Sequence, residues 1–362
     1  MKIASIIGAR PQFVKAAPLS RVLRENHDEL IIHTGQHYDK NMSSMFFEDL
    51  EIPAPDYDLG VGSGSHGKQT AEMLERIEST LKKEEPDLAI VYGDTNSTIA
   101  GSLASIKLHI PIAHIESGLR SHNRKMPEEI NRVVTDHISS ILYTPTSQGE
   151  KNLLNEGIKE VRIVITGDIM LDSFGYISER IDMGKILKKY SLNKGSFILC
   201  TLHRPYNVDD PSKLKKILSY LNESGKEIVL PLHPRTKDVI EKNLDLKYVE
   251  SLNNIRFLPP LGYLDFIALE MGSWKIATDS GGIQKEAYFC EKPCITIRGE
   301  TEWTETVEIG WNKLVGDDLY RLPEYLNSFE APRLHPDIYG NGNTAKIISD
   351  HLSNFDEGKI PL

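Results

Sequence analysis

The sequence predicts an α/β protein of two Rossmann-like domains, each with a parallel β-sheet covered by helices on both faces. Three observations lead to this fold class. Short apolar segments alternate with longer amphipathic segments along the chain, as in repeated βαβ units. The apolar segments are almost wholly hydrophobic, as expected for strands that are buried on both faces. The 362 residues are enough for two domains of ordinary size.

The candidate strands fall into two sets, one in each half of the chain. The first set is Ile3–Ile7, Leu30–His33, Leu88–Val91, Ile112–Ile115, Ile141–Tyr143 and Ile163–Thr166, and the second is Phe197–Thr201, Ile228–Leu230, Ile255–Leu258, Lys275–Thr278 and Cys294–Ile297. Helical periodicity separates several strands, at Ala16–Arg24, Ala71–Lys83 and Glu128–Ile138. A polar connection follows residue 168, so we expect one domain over 1–168 and a second over 169–343. The last segment, 344–362, has a helical pattern and could pack on either domain.

The charge balance limits the classes of partner. The chain has 52 Asp and Glu residues against 42 Lys and Arg, a formal net charge of -10. This argues against a nucleic acid or an anionic membrane surface, but a small anionic ligand needs only local positive charge. No apolar stretch reaches the roughly 18 residues of a membrane span, and the first residues predict a strand and a turn rather than a signal peptide. Three cysteines, an odd and sparse set, fit free thiols in the cytoplasm.

The segment TDSGGIQKEA, Thr278–Ala287, predicts a nucleotide site. A strand ends at its first residue, and Ser280, Gly281 and Gly282 open a helix whose N–H groups and positive dipole end suit a phosphate. Glycine at these positions lets a ligand approach the backbone. An ordinary helix capped by an aspartate or serine would begin in the same way. Glu286, one turn further along, can accept hydrogen bonds from ribose hydroxyls and therefore favours the nucleotide.

The segment GARPQFVKAAP, Gly8–Pro18, follows the first strand in a similar way. Its first proline suits the opening turn of a helix, and Arg10 and Lys15 can meet one anion. The alternative is a capped helix whose basic residues face solvent.

Other candidate motifs fail on a specific residue. GSGSHGKQT has Gln69 where a P-loop needs serine or threonine as a magnesium ligand. No G-x-G-x-x-G opens a βαβ unit, so the dinucleotide fingerprint is absent. His33 and His37 fit a loop after a strand better than a metal site. We therefore expect no metal and no nicotinamide cofactor.

Ionisable residues follow four of the predicted strands: Asp94, Glu116, His203 and His233. In an open parallel sheet the ligand crevice lies outside the carboxyl ends of the strands. Two Rossmann-like halves that face one another would place these side chains around a shared cleft. For any one residue, a helix cap or a surface salt bridge is an equal interpretation, but together they indicate a pocket of carboxylates, histidine and cations.

The charged segment ESGLRSHNRKMPEEINR supplies the remaining candidates. Glu128 and Arg132 are four residues apart on a predicted helix, hence on one face. Pro127 marks the first turn of that helix, where a carboxylate suits the dipole. Glu129 points about 100° away around the helix, so we expect it to be solvated. The intervening SHNRK could form a flap over the ligand.

As a set, these motifs resemble the non-hydrolysing UDP-N-acetylglucosamine 2-epimerase family. The matching stretches are GARPQ, GQHYDKNM, VYGDTNST, HIESGLRS, MPEEINR, DHISS, TLHRP, LHPRT, DSGGIQKEA and TEWTETVEIG, in the family's order from residue 8 to about residue 310. The resemblance implies a GT-B fold in which the helix 344–362 crosses back to the first domain. It also implies a homodimer and no nicotinamide cofactor.

The resemblance, carried over residue by residue, implies two sets of site residues. The catalytic positions match Asp94, Glu116, Glu128, Arg132 and His203, and the UDP-binding positions match Arg10, Lys15, His233, Ser280, Gly281, Gly282 and Glu286. The family reaction is an anti elimination of UDP to a glycal, followed by re-addition with inversion at C2. The predicted enzyme is an isomerase that interconverts UDP-GlcNAc and UDP-ManNAc.

The residues account for this chemistry on physical grounds. The C2 hydrogen is not next to a carbonyl, so it is not acidic. Epimerisation then needs either transient oxidation by NAD, whose fingerprint is absent, or departure of the anomeric diphosphate. Departure requires a pre-organised cationic cradle, and inversion requires a base on each face of C2. Three carboxylates are candidates for these bases, and the sequence does not assign them to faces.

Four stretches depart from the family pattern. TERPE is TEWTE here, so Trp303 stands where an arginine is expected near the diphosphate, and Arg298 is a candidate to compensate. The family pattern HRxEN reads HRPYN in this chain, with Tyr206 in place of the glutamate, and the family pattern GTRPE reads GARPQ. QHR, part of an allosteric UDP-GlcNAc site in some members, is QHY at Gln36–Tyr38. GARPQF with TEW resembles a branch that includes epimerases of UDP-2,3-diacetamido-2,3-dideoxyglucuronic acid, the alternative substrate.

Three other functions are alternatives to this prediction. A GT-B glycosyltransferase would use the same nucleotide site but gives no role to three acidic groups near the sugar. A hydrolysing epimerase would release UDP. A regulator that binds a UDP-sugar without turnover would not need the carboxylate cluster.

Overall fold

The structure is a computed structural model that describes residues 1–36 and 50–354. The predicted loop position of His37, most of the QHY departure and the end of the C-terminal helix beyond residue 354 lie outside the described residues.

The chain divides into two compact units. Unit 1 comprises Met1–Tyr176 together with the chain from Asp337 onward, and unit 2 comprises Ile177–Pro336. Each unit has its own parallel β-sheet with helices in the connections between strands. The predicted doubly wound α/β class is confirmed.

Seven strands form the sheet described for unit 1, in the order β3-β2-β1-β4-β5-β6-β7. They are β1 Lys2–Ile7, β2 Asp28–His33, β3 Tyr57–Asp58, β4 Leu88–Tyr92, β5 Ile112–Ile115, β6 Ile141–Thr144 and β7 Ile163–Ile165. All pairs are parallel. The chain winds outward in one direction from β1 to β3 and in the other from β4 to β7. The crevice for a ligand in such a sheet is at the carboxyl ends of β1 and β4, where the direction changes.

Five helices connect these strands in the described part of unit 1, and a sixth follows the last strand and ends two residues inside unit 2. They are α1 Arg10–Asn26, α2 His66–Glu84, α3 Asn96–Lys107, α4 Pro127–Ile138, α5 Ser147–Asn155 and α6 Ile169–Ser178, with a short 3-10 turn at Glu160–Arg162. Helix α1 begins six residues earlier than predicted and continues through Pro18. Pro18 has no N–H to donate to the Val14 carbonyl. The hydroxyl of Ser173 donates to that carbonyl instead, which explains how the helix tolerates the proline.

The C-terminal helix Thr344–Ser353 belongs to unit 1 and packs on α1. The carboxylate of Asp172 accepts hydrogen bonds from its first two backbone amides, at Thr344 (3.1 Å) and Ala345 (2.7 Å). This capping matters because the first amides of a helix have no partner within the helix.

Six strands form the sheet described for unit 2, in the order β10-β9-β8-β11-β12-β13. They are β8 Phe197–Thr201, β9 Glu227–Pro231, β10 Ile255–Leu258, β11 Lys275–Thr278, β12 Cys294–Thr296 and β13 Asn312–Leu314. Its helices are α7 Met183–Lys189, α8 Pro205–Val208, α9 Pro211–Glu223, α10 Pro234–Asn243, α11 Leu246–Glu250, α12 Tyr263–Gly272, α13 Gly281–Phe289, α14 Thr304–Glu308 and α15 Leu322–Ser328, with a 3-10 turn at Leu319–Arg321. The winding direction changes between β8 and β11, so the crevice of this sheet lies at their carboxyl ends.

Both sheets are covered by apolar helix faces. In unit 1, for example, Met73 and Ile77 of α2 pack with Ala4 and Val91 in one buried cluster. The glycine-rich segment before α2 is a loop, as predicted, and Gln69 donates to the Gly62 carbonyl (2.7 Å). Within the described residues, no helix is both long and apolar enough to cross a membrane.

Candidate active site

The crevice of unit 1 carries predicted residues from each strand around it. Arg10 opens α1 just after β1, Asp94 follows β4 and Glu116 follows β5. The structure therefore places these three residues at the same edge of one sheet, as the sequence predicts.

Gln12 joins the two strands at the point where the winding changes. Its side-chain oxygen accepts from the backbone amides of Gly8 (2.8 Å) and Ala9 (3.0 Å), and its amide nitrogen donates to the Tyr92 carbonyl (3.0 Å). A glutamate, which the family pattern has here, would be acceptor-only when ionised and could not make the bond to Tyr92. Gln12 in place of the family's glutamate therefore changes the hydrogen bonds that hold the turn after β1 to the end of β4.

Lys15 forms a buried ion pair with Glu116. The sequence predicts that Lys15 binds a diphosphate. In the structure its ammonium group instead contacts Glu116, a candidate base within unit 1. Gly93 makes room for the pair: a Cβ there would lie 2.9 Å from Lys15 Nζ and 3.2 Å from Glu116 Oε2. Gly93 also has φ +63°, so two independent reasons require glycine.

The backbone at Glu116 is strained. Its φ is +69°, a left-handed conformation that costs a non-glycine residue about 1–3 kcal/mol. The conformation is held because the amides of Glu116 (3.1 Å) and Ser117 (3.0 Å) both donate to the Tyr143 carbonyl. Strain of this kind is concentrated at functional sites, which agrees with a catalytic role for this carboxylate.

Arg132 bridges two carboxylates. Its Nη2 donates to Asp94 Oδ2 (2.5 Å) and its Nη1 donates to Glu129 Oε2 (3.0 Å). The expectation that Glu129 is solvated is wrong, since Glu129 is only 3% exposed. Glu129 is buried against the guanidinium of Arg132, three residues further along the same helix.

Glu129 also holds the segment before α4. Its carboxylate accepts from the amide (2.9 Å) and hydroxyl (3.0 Å) of Ser121 and from the amide of His122 (2.8 Å). Burial acts to raise the pKa of Glu129, but these hydrogen bonds and the charge of Arg132 outweigh it and bring the pKa below its usual value. The segment predicted as a flap is thus anchored at its start by a buried anion.

Glu128 occupies the first turn of α4, one residue after Pro127, as predicted. Its side chain is half-buried, whereas its neighbour Glu129 is buried. A carboxylate here is stabilised by the positive end of the helix dipole.

In unit 2, two predicted histidines lie next to each other at the crevice between β8 and β11. His203 follows β8 and His233 follows β9, and their ring centroids are 5.5 Å apart. His233 caps α10, where its Nδ1 accepts from the Arg235 amide (3.2 Å). The neutral ring of His233 therefore carries its proton on Nε2, as a donor.

Asp279 orients the turn that carries His203. Its carboxylate accepts from the amides of His203 (3.1 Å) and Arg204 (3.0 Å) and lies 3.2 Å from His203 Nδ1. Burial acts to raise the pKa of Asp279, but the bonds from His203 and the amides outweigh it and lower the pKa. Neither Asp279 nor Ser280 makes the side-chain cap on α13 that a capped helix predicts: Ser280 is the N-cap residue but accepts no amide.

The amino end of α13 begins at Gly281, in the predicted position. Gly281 is required because a Cβ at this residue would collide with the carboxylate of Glu302. Further along the helix, Glu286 accepts from the hydroxyl of Tyr263 (3.1 Å) on α12. Ser280, Gly281, Gly282 and Glu286 are thus placed on one strand–turn–helix element, in the order the motif predicts.

Trp303 stands where the family pattern has an arginine. The indole is buried, and Lys285 Nζ lies 4.2 Å from its ring centroid, a cation–π contact. Arg298, the predicted compensating cation, pairs with Glu302 (3.0 Å). Lys285 is therefore the cation in contact with this departure.

Tyr206, which replaces a glutamate, and Asn207 both donate to the Ile297 carbonyl, at 3.1 and 2.9 Å. These bonds tie the HRPYN turn to the strand-end after β12, so the tyrosine serves the turn in a neutral form.

The comparisons with known proteins agree with the family that the sequence motifs resemble. A family profile described as UDP-N-acetylglucosamine 2-epimerase matches residues 21–353. A Methanococcus maripaludis protein named UDP-N-acetylglucosamine 2-epimerase homolog is 50% identical over 98% of this chain and 100% of its own. The chain belongs to the UDP-N-acetylglucosamine 2-epimerase family. Another relative, the UDP-2,3-diacetamido-2,3-dideoxy-D-glucuronate 2-epimerase of Pseudomonas aeruginosa, is 47% identical over the same shares.

Solved structures of UDP-N-acetylglucosamine 2-epimerases have the same fold. The Methanocaldococcus jannaschii UDP-GlcNAc 2-epimerase in complex with UDP-GlcNAc and UDP matches with a TM-score of 0.90 and 42% identity, over 98% of this chain and 100% of that chain. The Neisseria meningitidis enzyme bound to UDP-GlcNAc matches with a TM-score of 0.88 and 30% identity, over the same shares. The predicted family, GT-B fold and epimerase class are confirmed.

Sequence reasoning gave no site role to three residues next to the candidate residues: Gln12, Glu129 and Asp279. Each is a buried acceptor of backbone amides. A signal was available for Asp279, which directly follows a strand within a quoted motif. Helical spacing misled for Glu129, because spacing gives the angle between Glu128 and Glu129 and not which of the two is buried.

Proposed function

We propose that this chain interconverts UDP-GlcNAc and UDP-ManNAc without hydrolysis, by elimination of UDP and its re-addition. The observation that carries the proposal is the pair of carboxylates, Asp94 and Glu116, each paired with a cation at the carboxyl edge of one sheet. A carboxylate can accept the C2 proton, and inversion requires a base on each face of C2. A nucleotide-binding protein without turnover would have no use for such a pair.

The reaction follows from these groups. In the forward step a carboxylate removes the C2 proton, the C1–O bond to the diphosphate breaks, and a C1=C2 double bond forms in a 2-acetamidoglucal. In the return step a proton is delivered to the opposite face of C2 as UDP adds back to C1. The candidate bases are Asp94, Glu116 and Glu128, with Arg132 holding Asp94 in place.

The leaving UDP needs donors that are in place before the bond breaks. In unit 2 these are the backbone amides at the amino end of α13 around Ser280, Gly281 and Gly282, and Glu286 for the ribose. We propose His203 and His233 as further donors to the diphosphate, and we keep Arg10 and Lys15 as the UDP-binding candidates that the family resemblance implies. The pairing of Lys15 with Glu116 allows a second role, in which its charge helps to hold a base.

The second candidate substrate is UDP-2,3-diacetamido-2,3-dideoxyglucuronic acid, with the same chemistry at C2. It is favoured by 47% identity to the Pseudomonas aeruginosa enzyme, against 42% to the Methanocaldococcus jannaschii UDP-GlcNAc 2-epimerase. The replacement of the family's arginine by Trp303, in contact with Lys285, changes the charge and shape next to the nucleotide helix.

We further propose a cytoplasmic homodimer. The three cysteines are free thiols, as a reducing compartment requires. Light scattering on purified protein should give twice the chain mass of 40.8 kDa, and a monomer mass would refute the dimer.

The test of function is a substrate comparison in D2O followed by NMR, with no sugar acceptor present. Incubation with UDP-GlcNAc should place deuterium at C2 and yield a mixture with UDP-ManNAc. If only the diacetamido uronic acid exchanges, the second candidate is correct. Release of free UDP and free sugar would indicate a hydrolase. No change with either substrate would refute epimerisation, and transfer only on addition of an acceptor would indicate a glycosyltransferase.

A further inference from the structure

A buried histidine–aspartate pair lies directly behind the proposed bases. His114, in β5, is fully buried, and its Nε2 lies 2.7 Å from the Gly93 carbonyl oxygen. Its Nδ1 lies 2.7 Å from Asp136 Oδ1, on α4. The other oxygen of Asp136 accepts from the amide of Gly118 (3.1 Å) and from Arg120 Nη1 (2.7 Å).

The partners of His114 define the protons on its ring. A backbone carbonyl oxygen only accepts, so Nε2 is a donor to Gly93. Nδ1 faces the carboxylate of Asp136, whose pKa burial acts to raise, while the hydrogen bond and charge of His114 and the charge of Arg120 outweigh burial and lower it. Each ring nitrogen of His114 thus has a buried partner, one on the turn after β4 and one on α4.

The pair connects the two turns on which the proposed bases stand. Gly93, whose carbonyl binds His114, directly precedes Asp94. Gly118, whose amide binds Asp136, is two residues after Glu116. The amide of Gly93 also donates to the carbonyl of Ile115 (2.9 Å), which closes a ring of contacts between the ends of β4 and β5. Neither turn can shift without breaking a bond to a buried side chain.

We propose that His114 and Asp136 are positioning residues that fix the spacing between Asp94 and Glu116 for the C2 proton transfers. This inference rests on the proposed function. His114 and Asp136 are both completely buried, so they act through the turns and not on the sugar. Arg120 completes the arrangement, since it pairs with Asp136 and, through Nε and Nη2, with both oxygens of Glu156 (2.7 Å each).

The first test separates positioning from a general loss of stability. In His114→Gln the kcat for C2 exchange should fall by about 100-fold, the loss that a displacement of about 1 Å can cause, while the affinity for UDP is unchanged. Ile77→Ala is the matched control, because it lies in the core of the same unit away from the turns and should lower Tm but not kcat. Equal kcat in His114→Gln and wild type would overturn the proposal, as would a kcat loss of the same size in the control.

The second test needs no variant. In wild-type protein labelled with 15N-histidine, Nε2 of His114 should carry a slowly exchanging proton, assigned by its contact to Gly93. A ring whose Nε2 carries no proton would overturn the inference, because the bond to the turn before Asp94 would be absent. Wild-type turnover is measured first, because its absence on both candidate sugars counts against the proposed function and not against the bond from His114 to Gly93.

Discussion

Replacing Glu129 with glutamine removes one charge from a buried network while keeping nearly the same shape. In the native protein its carboxylate accepts four hydrogen bonds, two from Ser121 and one each from His122 and Arg132. The glutamine keeps one oxygen acceptor for the turn at 121–122. Its NH2 group, however, places a donor where a second acceptor is needed, and Arg132 keeps its ion pair with Asp94 but loses the one with Glu129.

The expected loss follows from the burial of both partners. Glu129 is 3% exposed and Arg132 is 4% exposed. Breaking a buried ion pair by removing one partner costs about 3–5 kcal/mol. Since Asp94 still neutralises Arg132, we expect the lower end, about 3 kcal/mol, for Glu129→Gln. Glu129→Ala loses the acceptors for the turn as well and should cost more.

The assay is urea unfolding followed by two signals. Far-UV circular dichroism reports on both units, whereas the three tryptophans, Trp274, Trp303 and Trp311, all lie in unit 2. Glu129→Gln should shift the circular dichroism transition to lower urea and affect fluorescence less. The matched control is Glu128→Gln, the same change one residue earlier at a half-buried position, where we expect about 1 kcal/mol or less. If Glu129→Gln unfolds at the wild-type midpoint, or if the control loses as much, the buried network is not what stabilises the turn.

The remaining predictions concern pH and backbone space. The folded pKa values of Asp136 and Asp279 are lowered. The stability that these two carboxylates contribute should therefore be fully present above the ordinary aspartate pKa of 3.8 and should be lost as the pH falls through the lower folded pKa. The stability of Asp136→Asn should accordingly depend less steeply on pH during acid unfolding. Glu270 is completely buried, and within the described part of the chain neither of its carboxyl oxygens has a hydrogen-bond partner. Burial, together with the charge of Glu286, raises the pKa of Glu270 well above 4.5. Wild-type stability should therefore fall relative to Glu270→Gln as the pH rises above 4.5, and parallel pH profiles from thermal melts would refute this. Gly93→Ala should abolish turnover and lower Tm, because the new Cβ would lie 2.9 Å from Lys15 Nζ. The control is Gly157→Ala, since Gly157 also has a positive φ but has open space where a Cβ would lie; this variant should lower Tm only.

The strands were predictable because a strand buried on both faces must be apolar throughout. Four strands, Ile112–Ile115, Phe197–Thr201, Ile255–Leu258 and Lys275–Thr278, have the predicted bounds. The two missed strands, Tyr57–Asp58 and Asn312–Leu314, are short edge strands with polar residues, so no apolar run marks them. Their pairing is decided by neighbouring strands and not by local sequence.

The site was predictable to the level of residue type and strand end, but not to the level of partners. Asp94 and Glu116 are predictable because ionisable residues directly after parallel strands lie at the edge of the sheet where ligands bind. The pairing of Lys15 with Glu116 spans 101 positions in sequence, and no local pattern predicts it. Glu129 was placed wrongly for a similar reason, since its burial depends on amides of the preceding turn that the helix pattern does not contain.

The central claim is that C2 inverts because UDP leaves and returns. The most direct measurement uses substrate with 18O in the bond between C1 and the β-phosphate. The account predicts that the label moves to non-bridging positions of the β-phosphate during turnover, since the released diphosphate group can rotate before it adds back. Inversion at C2 with the label retained in the bridge throughout would contradict elimination and require another route to the C2 proton.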